Sequence, residues 1–321
     1  MRVGIAGYGN LGRSLERLII SSLEYEIAGV FTRRKITEVQ TLGSAVYPFI
    51  KLSEMRDKID VLFLCYGSSS DMPDLAPMLA RSFNTVDTFD NHKESLVYKE
   101  KMNISAKAGG HTSVVCLGWD PGFLSAIRLI CDSFFPNACV NTFWGRGVSQ
   151  GHTEALKRIP GVKKAVQYTV PCEDALVLAS LVCHPISDTD RHRRVCYIVA
   201  EDGKEDLIKN EVLKMKNYFA GYKTQINFVS ESVFDSLPSL TSHRGRVYAL
   251  GSSGKYREVK HSLYLDLDIG SNPDFTASVM LASARALTRL ADENKYGAYD
   301  IFDIPISYFS PLKCKNVNNY L

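Results

Sequence analysis

The sequence predicts an α/β protein: a Rossmann-type, doubly wound parallel sheet followed by a second α+β domain on a mixed or antiparallel sheet. Three observations predict it. Apolar runs and helical stretches alternate over roughly the first 118 residues. Gly7, Gly9 and Gly12 form a G-x-G-x-x-G turn between the first strand and the first helix. After about residue 120 the apolar period falls to two, the mark of antiparallel pairing.

Residues 2–6, "RVGIA", form a short apolar run, hence a buried strand. Leu11, Leu15, Leu18 and Ile19 then repeat at helical spacing. "YEIAGVFT" and "IDVLFLCYGSSSD" are the next strands, the latter ending in small residues. "MPDLAPMLARSF" is a helix in which Pro77 predicts a turn or kink. "NTVDTFDNH" is a strand and loop, and the following helix stops at Gly109–Gly110. "TSVVCLGWDPG" is a further strand. Beyond it, "RVCYIVAED", "QINFVSES", "RVYALGSS" and "HSLYLDLDIG" alternate, with Leu263, Leu265, Leu267 and Ile269 on one face. "GHTEALKRI" is a helix among them. A long helix closes the pattern, with Pro273 near its start and Met280, Ala284, Leu287 and Ala291 along one stripe.

A net charge of +3 argues against nucleic acid or an anionic membrane surface as partner. No apolar run reaches the roughly 20 residues of a membrane-spanning helix. The chain enters a strand at once, and its eight cysteines form no C-x-x-C pair, so free thiols in a reducing cytoplasm are expected. His92, His111 and His152 have no metal-ligand spacing, and no metal is expected.

The glycine turn predicts a dinucleotide cofactor on "GYGNLG", Gly7, Tyr8, Gly9, Asn10, Leu11 and Gly12. Gly7 allows the tight turn, Gly9 admits a pyrophosphate, and Gly12 lets helix and strand pack. The helix N-terminus supplies free N–H groups and a favourable dipole for the anion. At the end of the second strand an NAD enzyme carries an acid for the ribose hydroxyls. This chain has Thr32, Arg33 and Arg34 there, and Arg33 lies 21 residues after Gly12. A guanidinium fork binds a 2′-phosphate, so the expected cofactor is NADP. Cys65, Gly67, Ser68 and Ser69, at the third strand's end, are candidate cofactor contacts; Cys65 reads as a core thiol, not a nucleophile.

Two later strand ends supply Asp90 and the pair Trp119–Asp120. In an open parallel sheet, ligands bind beyond the carboxyl ends of the strands, and two carboxylates there suit a cationic substrate group. Two structural readings stand beside this one. Asp90 would cap a helix starting near His92, and Asp120, before Pro121, would be a turn residue.

The blocks "GYGNLGRS", "FTRR", "VDTFDNH", "GWDPG", "RIPGVKKAVQYT", "NPDFTAS" and "ISYFSPL" resemble meso-2,6-diaminopimelate D-dehydrogenases. So does "FWGRGVSQGH", with Arg146 where that family's pattern has Pro, a change expected to alter loop stiffness. The resemblance runs from residue 3 to about 311. It implies NADP-dependent, reversible oxidative deamination of the D-centre of meso-diaminopimelate, giving L-2-amino-6-oxopimelate, its cyclic form tetrahydrodipicolinate, and ammonia. It also implies a homodimer in lysine and peptidoglycan precursor biosynthesis. The dinucleotide-binding domain would be 1–118, with about 270–321 packing back on it, and 119–269 the substrate-binding and dimerisation region.

Carried over by position, Asp90 and Asp120 resemble the carboxylates at the D-centre's amino group, and are the candidate catalytic residues. Trp119 and Trp144 resemble apolar walls, and Gln150 and Gly151 the turn meeting the substrate. Thr169 and Arg194 resemble the partners of the L-end carboxylate, with Arg193 the alternative to Arg194 and a surface strand charge the plain reading of either. His243, in a poorly matched stretch and otherwise a loop histidine, and Asn272 complete the polar contacts at that end.

Such a substrate carries two ammonium and two carboxylate groups. Its site must present both signs in fixed places, because the wrong centre would leave buried charge unpaired. Two other readings compete: another NADP oxidoreductase of the sugar dehydrogenase or dihydrodipicolinate reductase type, and a non-catalytic NADP(H)-binding module. The first usually carries a Lys or His acid/base signal, which this sequence lacks.

Overall fold

A computed structural model describes residues 1–68, 71–216, 218–238 and 243–311, without the side chain of Gln150. The chain divides into two compact units, Met1–Ala126 with Pro273–Leu321, and Ile127–Asn272. It opens with β1 (Arg2–Ala6), α1 (Asn10–Ile20), β2 (Glu26–Thr32), β3 (Val46–Pro48) and β4 (Val61–Leu64). Next come α2 (Met72–Ala80), β5 (Thr85–Asp87), α3 (Ser95–Gly109), β6 (Thr112–Val114) and α4 (Phe123–Phe134). The second unit carries β7 (Cys139–Trp144), β8 (Gly147–Val148), α5 (Gln150–Lys157), β9 (Val162–Pro171), α6 (Glu173–Leu181) and α7 (Asp188–Arg191). It continues with β10 (His192–Ala200), α8 (Glu205–Lys214), β11 (Lys223–Phe228), α9 (Glu231–Asp235), β12 (His243–Ser253) and β13 (Val259–Ile269). Two elements follow, α10 (Asn272–Asp292) and β14 (Gly297–Tyr299).

The first unit is a seven-stranded parallel sheet in the order β14-β6-β5-β4-β1-β2-β3. From β3 to β6 this is the dinucleotide-binding order. Both faces are covered, so the strands need apolar residues on both sides. Val3, Ile5, Val30 and Phe63 pack with Leu15 and Ile19 of α1 and Ala277, Met280, Ala284 and Leu287 of α10. Ala6, Phe31, Leu62 and Leu64 face the other way, onto Met72 and Ala76 of α2 and Tyr98 and Met102 of α3. α3 ends on Gly110 in the left-handed region (φ 70°), as the Gly109–Gly110 signal predicts.

The second unit holds two sheets: the mixed β11-β10-β9-β8 and the antiparallel β13-β12-β7. "QINFVSES", expected in antiparallel pairing, instead runs parallel to β10. The reason is its connection: α8 forms a crossover between β10 and β11, and only a long crossover returns the chain in the same direction. Leu263, Leu265 and Leu267 share the less exposed face of β13, as their alternation predicts.

Three local expectations change. α2 runs on past Pro77, so that residue ends nothing. The helix after Asp90 begins at Ser95 with Glu94 at its N-cap, so Asp90 does not cap it. Arg194 is no surface charge: it is 8% exposed, and Arg193 takes the exposed side of the strand.

Candidate active site

The glycine turn follows the carboxyl end of β1. Gly7 has φ +92°, and a Cβ there would lie 2.7 Å from the Cys65 carbonyl oxygen. A Cβ on Gly12 would come within 2.5 Å of the Gly7 oxygen, so only glycine permits this closeness of helix and strand. Gly9 differs: a Cβ there meets nothing within 4 Å. The space beside the turn is open, and no side chain caps α1 or places an acid in its first turn. Asn10, Leu11 and Gly12 thus present the positive end of a helix whose first turn carries no acid. A pyrophosphate fits this turn on those grounds.

Tyr8 is 5% exposed, and its hydroxyl donates to the fully buried Glu16. Burial, then the nearby Glu16, pushes its pKa up to about 12. Burial opposes ionisation of Glu16, but Tyr8 and the N–H groups of Leu42 and Ser44 (3.0 and 3.1 Å) leave its pKa below the ordinary value. Glu16 therefore ties the turn to the loop after β2. Thr32, 4% exposed, accepts the Arg34 N–H at 3.0 Å, and the Arg34 guanidinium donates to the Tyr8 carbonyl. Arg33 pairs with Asp71 and lies 5.7 Å over the Tyr66 ring. Both guanidiniums are thus at the predicted strand end.

Cys65 is half-buried, and burial pushes its thiol up, which disfavours a thiolate. The Gly67 carbonyl accepts the Met72 N–H at 3.2 Å. The Ser68 hydroxyl accepts the Asp90 N–H at 3.1 Å, joining the ends of β4 and β5. Ser69 lies outside the described residues. Asp90 is exposed, while Trp119 and Asp120 are half-buried on the loop after β6. That loop closes on itself: Gly118 N–H donates to Pro121 O at 2.8 Å, and Phe123 N–H to Gly118 O at 3.0 Å. The Asp120–Pro121 peptide is cis. Asp90 and Asp120 follow neighbouring strands at the sheet edge that also carries the glycine turn.

In the second unit, β9 and β10 put Thr169 directly opposite Arg194. Arg194 Nη1 donates to Thr169 Oγ1 at 2.7 Å, and its guanidinium stacks 4.1 Å from the Tyr222 ring centre. Among the described residues Arg194 Nε has no partner, and no carboxylate pairs with this guanidinium. Gln167, fully buried, donates to Thr169 at 3.4 Å, and its Oε1 is also unpartnered. Burial, then the charges of Arg194 and Arg191, drives the pKa of His192 down to about 3. His192 therefore stays neutral, accepts the backbone N–H of Trp144 at 2.9 Å and stacks on the indole of that residue. The result is a buried, positively charged cluster with no carboxylate paired to it among the described residues.

The remaining expected residues fall on other segments of the second unit. Gly151 lies in the first turn of α5, which Gln150 opens. The His243 ring nitrogen contacts the Val148 carbonyl at 3.0 Å. Asn272 begins α10. Arg146 is exposed, and its peptide bond with Gly145 is cis. Sequence reasoning missed Gln167, His192 and Tyr222. The signal for two of them was period two: Gln167 shares a strand face with Thr169, and His192 with Arg194. Tyr222 is brought in by the parallel crossover, which the sequence did not reveal.

Residues 118–271 match the family described as the diaminopimelic acid dehydrogenase C-terminal domain. The meso-diaminopimelate D-dehydrogenase of Corynebacterium glutamicum is 39% identical over 312 residues, 97% of this chain and 96% of that one. The solved structure of C. glutamicum DAP dehydrogenase in complex with DAP is similar at a TM-score of 0.93, with 38% identity over 99% of this chain and 98% of that one. An engineered D-amino acid dehydrogenase bound to NADP+ is similar at 0.89, with 36% identity over 99% and 98%. Agreement at this identity along nearly the whole of both chains makes the chain a member of the meso-diaminopimelate D-dehydrogenase family.

Proposed function

We propose that this chain is an NADP-dependent oxidoreductase. It reversibly deaminates the D-centre of meso-2,6-diaminopimelate to L-2-amino-6-oxopimelate, in equilibrium with tetrahydrodipicolinate, and releases ammonia. This is a step of lysine and peptidoglycan precursor synthesis. The observation that carries the reading, beside family membership, is the buried Arg194 guanidinium, which holds Thr169 and no acid. A buried cation without a counter-charge is costly, and a substrate carboxylate removes that cost.

Bound NADP supplies the hydride acceptor. Gly7, Gly9 and the first turn of α1 hold its pyrophosphate, and Arg33 and Arg34 its 2′-phosphate. Asp90 and Asp120 hold the ammonium of the D-centre, and one of them takes a proton, since only the neutral amine carbon gives up hydride. Thr169, Arg194 and His243 hold the L-end carboxylate, with Gln150, Gly151 and Asn272 contributing polar contacts and Trp119 and Trp144 the apolar walls. The two ends differ in charge pattern, and that difference selects the D-centre.

Activity in the cytoplasm as a homodimer completes the proposal. The seven cysteines among the described residues, all free thiols, support a reducing compartment. Exposed Leu181, Val182 and Tyr264 on the second unit support a covered face in a dimer. The decisive assay is NADP reduction at alkaline pH with meso-, LL- and DD-diaminopimelate, D-lysine and a sugar panel. Turnover confined to the meso isomer is expected. Turnover of sugars alone, or none at all, would overturn the proposal, and sedimentation as a monomer would remove the dimer.

A further inference from the structure

Asp87, the last residue of β5, is fully buried. Its Oδ1 accepts two backbone N–H groups, Phe89 at 3.0 Å and Cys116 at 3.1 Å. Its Oδ2 accepts the Tyr98 hydroxyl at 2.8 Å, and its backbone carbonyl accepts the Leu117 N–H at 3.1 Å. One residue thus holds the chain just after β5 and just after β6. Those two segments carry Asp90, three residues on, and Asp120, four residues past Cys116. The Asp90 end is pinned again by Ser68. Cys116 has φ 57°, a left-handed conformation uncommon outside glycine and asparagine, and the bond to Asp87 sits on its N–H. From α3, Tyr98 locks the carboxylate's orientation while its ring stacks 4.1 Å from that of Phe89.

An aspartate costs more to bury than an apolar residue, so packing alone does not account for this one. From this clamp we infer that Asp87 is a positioning residue for the proposed reaction. It fixes the directions in which the segments bearing Asp90 and Asp120 leave the sheet. The inference rests on the proposed roles of those two acids. A shift of about 1 Å in such groups costs on the order of 100-fold in rate. Asn keeps the Oδ1 acceptor and can donate to Tyr98, whereas Leu, of nearly the same shape, leaves both N–H groups unpaired.

The test compares Asp87→Asn, Asp87→Leu and Tyr98→Phe with wild type for kcat, KM and NADPH affinity. Asp87→Leu is expected to lower kcat about 100-fold with NADPH affinity nearly unchanged, and Asp87→Asn to restore kcat to within a few-fold. Tyr98→Phe, which spares both backbone bonds, should also stay within a few-fold. A folded Asp87→Leu enzyme with wild-type kcat overturns the inference. So does an Asp87→Asn variant as impaired as the Leu variant, or a parallel loss of NADPH binding. If Asp87→Leu does not fold, amide exchange of Phe89 and Cys116 in Asp87→Asn decides: both must stay protected. Asp90→Asn and Asp120→Asn are run alongside. If both retain turnover, the reading of the two acids has failed; if they lose it while Asp87→Leu does not, only the positioning role has failed.

Discussion

Replacing Arg194 with Met separates a substrate anchor from a structural cation, because the two roles predict opposite patterns. Met keeps the unbranched stem and removes the charge. In the free protein the losses are the 2.7 Å bond to Thr169 and the stack on Tyr222. Those interactions are worth about 1.5–3 and up to about 2 kcal/mol. Against them stands the desolvation of a guanidinium 8% exposed, with Nε unpartnered and no acid beside it, a cost of several kcal/mol. The terms nearly offset, so unfolding free energy should change by no more than about 2 kcal/mol. In the complex the balance is different. The substrate carboxylate would lose its buried counter-charge, at about 2–5 kcal/mol. With a factor of ten per 1.4 kcal/mol, kcat/KM should fall roughly 30- to 4,000-fold. The L-end is remote from the reacting carbon, so most of the loss belongs in KM. The assay is steady-state NADP reduction with meso-diaminopimelate, beside urea unfolding and NADPH titration. A kcat/KM within fivefold of wild type would refute the reasoning. So would a stability loss that accounts for the whole defect.

Three further outcomes are expected. Arg33→Asp should lower the NADP-to-NAD ratio of kcat/KM at least about tenfold, through loss of a charge-assisted phosphate contact; an unchanged ratio would exclude Arg33 from the phosphate. Asp120→Asn should leave NADPH affinity nearly unchanged and cut turnover by about 100-fold or more; equal loss of both would mark a structural residue. His192 is depressed to about 3 when folded, against about 6.5 unfolded. Its contribution is present above pH 6.5 and is lost as the pH falls from there towards 3, because the unfolded chain gains the proton first. Unfolding free energy should therefore fall less steeply between pH 7 and 5 in His192→Gln than in wild type, and equal slopes would refute the shift.

The first unit was the legible one. Its strands are buried on both sides, and the glycine turn is a local signal whose spacing carries its own geometry. The basic pair at Arg33–Arg34 was equally readable, because the fold fixes what arrives at that strand end. The second unit was less legible. Period two tells which residues share a face, not which strand lies beside them, so the parallel β10–β11 pairing and the arrival of Tyr222 at Arg194 were hidden. That Arg194 and not Arg193 lies opposite Thr169 is likewise a matter of register, which no local pattern shows. Asp87 stood in the quoted "VDTFDNH", but its role depends on an N–H 29 residues away on the next strand, which no local pattern announces.

The first unit is discontinuous along the chain, with Ala277, Met280, Ala284 and Leu287 of α10 in the same core as Val3, Ile5 and Leu15. This has a consequence for synthesis. Met1–Ala126 is translated before α10, and until α10 emerges one face of its sheet is covered only in part, by Leu15 and Ile19 of α1. From Ala126 to the end of α10 at Asp292 the ribosome adds 166 residues, which at roughly 5–20 residues per second take on the order of ten to thirty seconds. Ile127–Asn272 is contiguous and can complete its contacts during that interval. The nascent chain can thus complete its middle unit before the discontinuous unit that carries the glycine turn closes on α10.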